Sequence, residues 1–172
     1  MDFVTIGLII LLLICVFTDL RDRKIYNVVT FPAAFMALIF HTLINTWDGF
    51  WFSFSGLLVG FSILFIPYLF GGIGAGDVKL LAVIGALKGT SFVLFTALYM
   101  ALIGGLMALF ILMFRKGFIH RWRMIGYTLY GWLNGLKLPL FLDKERLATT
   151  YPYGVAISGG AIMTLIRNGG IW

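Results

Sequence analysis

The chain is a succession of uncharged apolar stretches, most of them long enough for a helix to cross a lipid bilayer. Residues 3–18, 25–47, 51–70, 89–114 and 147–166 contain no Asp, Glu, Lys or Arg, and a spanning helix needs about 20 such residues. Between them, residues 77–88 enclose an apolar run too short for a full crossing, which fits a thin span inside a bundle with Lys79 reaching toward the headgroups. Hydrophobic residues make up 61% of the 172, charged ones 12%, against about 25% charged in a soluble domain. A soluble enzyme, a disordered chain and a disulfide scaffold are excluded. The expected fold is an all-α membrane protein, a bundle of about six transmembrane helices in a single membrane-embedded domain covering residues 1–172. The first stretch lacks a small-residue cleavage site and is expected to be a span rather than a removable signal.

The single cysteine, Cys15, can form neither an internal disulfide nor a four-cysteine zinc site and is expected to pack in the first span. His41 and His120 suggest no metal cluster. The formal net charge of +6 does not indicate nucleic acid, because the cations lie between apolar stretches, where topology and anionic lipid account for them. With the amino terminus outside, eleven of the thirteen cations fall on the inner side and only Lys88 and Arg167 outside. That bias orients the chain. Residues 115–150 are then a cytoplasmic segment, with the aromatic stretch 127–142 at the interface. Asp48 and Gly49 are expected to turn the chain between the second and third spans.

Of the acidic residues, Asp2, Asp48, Asp143 and Glu145 fall in expected loops or at the terminus, where solvent suffices. Asp19 and Asp22 end the first span, and Asp77 begins the fourth. Two crossings separate Asp19 from Asp77, so both reach the same membrane face. Carboxylates at a low-dielectric boundary are costly unless paired, protonated or used. A close pair can share one proton, and such a pair can activate water and protonate a leaving amine. The plain alternative is that Asp77 caps its helix and Asp19 answers the neighbouring arginines. A glycine-rich loop over residues 71–77 delivers Asp77 and permits close backbone approach. It is not a phosphate-binding loop, since no Gly-Lys-Ser/Thr follows.

The run Gly74-Ala75-Gly76-Asp77, continuing Val78-Lys79-Leu80-Leu81, resembles the GxGD motif of the type IV prepilin peptidases and archaeal preflagellin peptidases. Asp19-Leu20-Arg21, followed by Ile25 and Asn27, resembles the family's first aspartate motif, with Tyr26 where a proline is usual. Tyr151-Pro152-Tyr153-Gly154 resembles the proline–glycine element opening the last helix. Presenilin-type proteases are a poorer match, as their PAL motif is absent. The resemblance implies an aspartic endopeptidase that removes the leader of a membrane-inserted prepilin at the cytoplasmic face of the inner membrane. Asp19 and Asp77 would be the catalytic pair, and Gly74 and Gly76 would shape the loop backbone. No metal, nucleotide or other cofactor is implied. The long family members' two CxxC pairs are missing, which implies a peptidase without N-methyltransferase activity, most similar to the short enzymes of Flp/Tad pilus systems. Asp22 does not fit the motif spacing. Arg21, Arg23 and Lys24 read as charges that stop the first span, and Lys79 as a residue that organises the loop or contacts lipid phosphate.

A competing reading makes the two aspartates the ion or proton site of a small transporter, against which stand their position at one face and the lack of an inverted repeat. Within the peptidase reading, helix dipoles favour Asp77, at the start of its helix, as the anionic base. Asp19, near the end of its own helix, is then expected to hold the proton.

Overall fold

Lipid offers no hydrogen-bond partner to a backbone amide, so each apolar stretch must satisfy its own backbone as a helix. A computed structural model of the chain describes residues 3–114 and 153–169. Among these residues it holds five helices and no strand: α1 (Phe3–Asp22), α2 (Asn27–Leu69), α3 (Ala75–Lys88), α4 (Thr90–Phe114) and α5 (Tyr153–Arg167). The all-α expectation holds for the described residues. Three helices are long and apolar enough to cross a membrane, namely α1, α2 and Thr90–Phe110 of α4. This differs from the expected six for two reasons. Two expected spans are joined in α2, and α3 and α5, with 14 and 15 residues, fall short of the usual crossing length.

The 43 residues of α2 are not one rod. Asn45 (φ −120°, ψ 19°) and Thr46 (φ 50°, ψ −128°) leave helical geometry, and the contacts on either side run in opposite directions along α3. In the first arm, Asn27 meets Lys79 and His41 meets Leu87. In the second, Ser53 meets Ala86 and Gly60 meets Leu81. The chain therefore reverses at Asn45–Thr46, not at Asp48–Gly49 as expected. Gly49 already belongs to the second arm, where a Cβ would strike the His41 carbonyl of the first. Its missing side chain serves the approach of the two arms rather than the turn itself.

The core is α3, whose residues Val78 to Ala86 are nearly all buried. Its neighbour, the second arm of α2, turns a stripe of small residues inward: Gly49, Ser53, Gly56 and Gly60. The spacing of three and four places them on one helical face, and small residues let membrane helices approach closely. At Gly56 and Gly85 the approach is closest, since a Cβ on either would overlap the other's carbonyl oxygen. The Ser53 hydroxyl donates to the Ala86 carbonyl at 2.8 Å, and the His41 Nε2–H donates to that of Leu87 at 3.0 Å. Those two bonds satisfy carbonyls at the end of α3 that no further turn would reach.

α1 runs antiparallel to α3, because Lys88 Nζ donates to Thr5 Oγ1 at 2.6 Å at one end and Asp19 approaches Asp77 at the other. Its inward stripe is Thr5, Leu8, Leu11, Leu12, Cys15 and Asp19. Cys15 is free and buried, as expected of a packing residue. α5 packs antiparallel to both α1 and α4. Thr96 donates to Thr164 at 3.3 Å, and a Cβ on Gly160 would strike the backbone of Thr96 and Met100. Met1–Gly104 and Pro152–Trp172 form one compact unit, Gly105–Tyr151 a second, of which residues 105–114 are described and continue α4 as helix. The expected cytoplasmic segment 115–150, with its interfacial stretch 127–142, lies outside the described residues.

Candidate active site

Asp19 lies in the last turn of α1 and continues that helix's buried stripe one turn beyond Cys15. Its residue exposure is 6%, so its carboxyl needs partners from the protein. They come from the other end of the chain. The Gly154 N–H, in the first turn of α5, donates to Asp19 Oδ2 at 3.0 Å, and the Val155 N–H adds a second hydrogen bond. The free N–H groups of a helix start carry partial positive charge. The dipole expectation for Asp19 considered α1 alone and missed that α5 turns its amino end onto this carboxyl.

Asp77 lies in the first turn of α3, with 8% exposure. Its Oδ2 accepts the Gly74 N–H at 3.2 Å, so it does cap its own helix. Asp19 is near enough for its charge to act on Asp77. Of the two purposes expected of the motif glycines next to it, close approach is met and unusual backbone angles are not needed. Gly74 has ordinary extended angles (φ −78°, ψ 149°) and Gly76 is helical; neither requires glycine's conformational range. What they share is lack of room. A Cβ on Gly76 would lie 2.9 Å from the Ile25 Cβ, and one on Gly74 would lie 3.2 Å from Asp77 Oδ2.

The segment between α1 and α2 closes the site from a third side. Arg23 takes φ 51° and ends α1. Tyr26, at the usual proline position, caps α2 with φ −80° and ψ 135°, angles that a proline also adopts. The substitution therefore leaves the turn intact. The Tyr26 hydroxyl donates to Asp22 Oδ2 at 3.1 Å, and Arg21 Nε stands 3.9 Å from Asp22 Oδ1. Asp22 is thus engaged outward with Tyr26 and Arg21, away from the Asp19–Asp77 pair. Arg21 answers Asp22 rather than Asp19.

Lys79 donates to Asn27 Oδ1 at 2.8 Å and lies 5.2 Å from the centroid of the Phe31 ring. It ties the start of α3 to the start of α2. Gly154 is the residue whose part sequence reasoning missed. The YPYG element signalled a helix start, but nothing in it pointed to Asp19.

Two nearly buried carboxyls from separate helices thus lie near enough at one end of an all-helical unit for one charge to act on the other, and no cation balances them among the described contacts. Such a pair is least costly when it shares a proton. The protein is a membrane-helix protein with two neighbouring buried carboxyls, and comparison supplies its family. Residues 6–109, which include both aspartates, match the type IV leader peptidase family, and the chain belongs to it. It is a membrane protein of the prepilin-type leader peptidase kind. No curated protein and no solved structure matches it.

Proposed function

We propose that the protein is an aspartic endopeptidase that cuts the leader from Flp-like prepilins at the cytoplasmic face of the inner membrane, with Asp19 and Asp77 as the catalytic pair. The observation that carries this reading is the meeting of the two buried carboxyls in a chain of the leader peptidase family. One carboxylate takes a proton from water while the water oxygen adds to the scissile carbonyl carbon. The partner carboxylic acid gives its proton to the carbonyl oxygen. The resulting diol collapses, the C–N bond breaks, and the first carboxyl passes its proton to the leaving nitrogen. A hydroxyl of the diol returns a proton to the second carboxyl as the product carbonyl reforms, and the pair is restored.

The substrate is a hydrophobic helix with a short basic leader. Its helix shares the bilayer with the enzyme, and its leader ends where the inner face collects cations. In this reading the chain crosses six times, with both arms of α2 and the short helices α3 and α5 each spanning, and the cation bias favours the amino terminus outside and the carboxyl pair inside. The single cysteine leaves no CxxC pairs, in keeping with cleavage unaccompanied by N-methylation. Co-expression with a candidate prepilin tests the reading through the substrate's mobility shift. Asp19→Asn and Asp77→Asn each abolish the shift while the protein still inserts and folds, and Asp22→Asn retains it. Loss of cleavage in Asp22→Asn with retention in Asp19→Asn would show that the pair is misassigned. Ion flux through reconstituted liposomes without any cleavage would replace the peptidase reading by a transporter.

A further inference from the structure

The two aspartates are not equivalent in their surroundings, and the difference lies in α5. Asp77 has one backbone donor, the Gly74 N–H at 3.2 Å, within its own helix. Asp19 has the amino end of a separate helix turned onto it, beginning with the Gly154 N–H at 3.0 Å. Hydrogen bonds to the charged form favour that form, and a helix amino end adds its positive partial charge within the first turn. The approach is possible only because residue 154 has no side chain. A Cβ there would lie 2.7 Å from Asp19 Oδ2, 3.0 Å from its Cγ and 3.1 Å from its Cβ. Gly154 is helical, so the backbone does not require glycine. Among the described residues, the nearest atoms an added Cβ would meet all belong to Asp19, and they give a physical reason for glycine at this position.

We propose that the first turn of α5 holds Asp19 as the ionised, water-activating member of the pair, so that the shared proton rests on Asp77, and that Gly154 is the positioning residue that makes this contact possible. This rests on the peptidase reading above and reverses the order that the dipoles of α1 and α3 alone suggest. Asp19 takes the proton from water, Asp77 protonates the scissile carbonyl oxygen, and Asp19 then delivers its proton to the leaving nitrogen. Among the described residues, the ionisable groups whose charge is coupled to Asp19 include Asp77 from α3 and Cys15 from the preceding turn of α1. Asp22 and Arg21 are engaged with each other and with Tyr26. α5 presents its backbone there, and its Arg167 lies at the opposite end, over Phe95.

The test uses the full chain in lipid vesicles and a synthetic membrane-inserted peptide with a basic leader ahead of an apolar helix. Gly154→Ala keeps the α5 backbone but displaces the Asp19 carboxyl, and a misplacement near 1 Å costs about a hundredfold in rate. The expected result is a kcat lower by about a hundredfold with KM within about twofold, since Gly154 acts through the Asp19 carboxyl and not on the peptide. The acid limb of the pH–rate profile moves to higher pH, because the carboxylate has lost its donors. Gly159→Ala, on the same helix, puts its methyl 3.1 Å from the movable end of Ile103 and leaves rate and profile unchanged. A Gly154→Ala enzyme with both limbs in place, or with a normal kcat, overturns the inference while cleavage lost in Asp19→Asn and Asp77→Asn still supports the peptidase. If Asp19→Asn and Asp77→Asn both cleave normally, the peptidase reading itself fails. A second measurement needs no activity. Gly154→Ala lowers the thermal midpoint of the wild-type chain by clearly more than that of Asp19→Ala, where the opposing carboxyl is gone and only the contact with the residue 19 Cβ at 3.1 Å remains. An equal loss in both backgrounds overturns the contact.

Discussion

Replacing Gly85 with alanine probes the contact that seats the helix of Asp77. The added methyl would overlap the Gly56 carbonyl oxygen and stand 2.6 Å from its carbon. Both opposing atoms are backbone, so no rotamer change relieves them, and α2 and α3 must part by about 1 Å to restore ordinary contact. Parting stretches the Ser53 hydroxyl's bond to Ala86 O, now 2.8 Å, beyond useful range. Overpacking of this kind costs about 1–3 kcal/mol, and an interhelical hydrogen bond in a membrane protein contributes about 0.6 kcal/mol. The expected loss is therefore about 2–3 kcal/mol. Alanine also gains helix propensity over glycine, by about 1 kcal/mol, and this must be removed from the comparison. Gly104→Ala does so, because its methyl meets nothing nearer than the Ala156 Cβ at 3.7 Å. Unfolding free energies of the two variants, from reversible denaturation in mixed micelles, should differ by that 2–3 kcal/mol, with Gly85→Ala the weaker. Equal stabilities would refute the backbone contact between α2 and α3, and with it the placement of Asp77.

Cleavage should follow a bell in pH, lost at low pH when both carboxyls are protonated and at high pH when neither holds a proton for the scissile carbonyl oxygen. The Tyr26 hydroxyl is held above its ordinary range by its hydrogen bond to Asp22 and by that residue's charge, so Tyr26→Phe leaves both limbs in place; a displaced alkaline limb would implicate Tyr26. In a Cys15-free background, Lys24→Cys and Lys79→Cys should resist membrane-impermeant thiol reagents added to intact cells, and labelling of either would overturn the proposed orientation. Lys79→Met removes the donor to Asn27 and should cost about 1 kcal/mol of stability with a severalfold loss of cleavage; a variant unchanged in both would show that the tether is idle.

Much of the fold was open to reading because a bilayer leaves an apolar stretch few choices. The helices start and end within a few residues of the uncharged runs. The breaks were less legible. Asp48-Gly49 looks like a turn because glycine and aspartate favour turns, yet the reversal falls at Asn45–Thr46, and Thr46 takes the positive φ. Glycine here is selected for contact, and contact with a partner far along the chain leaves no local signature. The same holds for Gly74 and Gly76. Their place in a motif was evident, whereas the side chain of Ile25 that crowds Gly76 was not.

The site shows the same division. The nearness of Asp19 to Asp77 was legible because an even number of helical segments between them returns the chain to the same end, and the two arms of α2 supply that return. What no spacing encodes is the bond from Gly154 to Asp19, made across 135 positions. A dipole argument confined to α1 assigns Asp19 the unfavourable end of a helix, and the sign changes once α5 is included. The electrostatics of a buried carboxyl belong to whichever helix ends point at it, not to the helix that carries it.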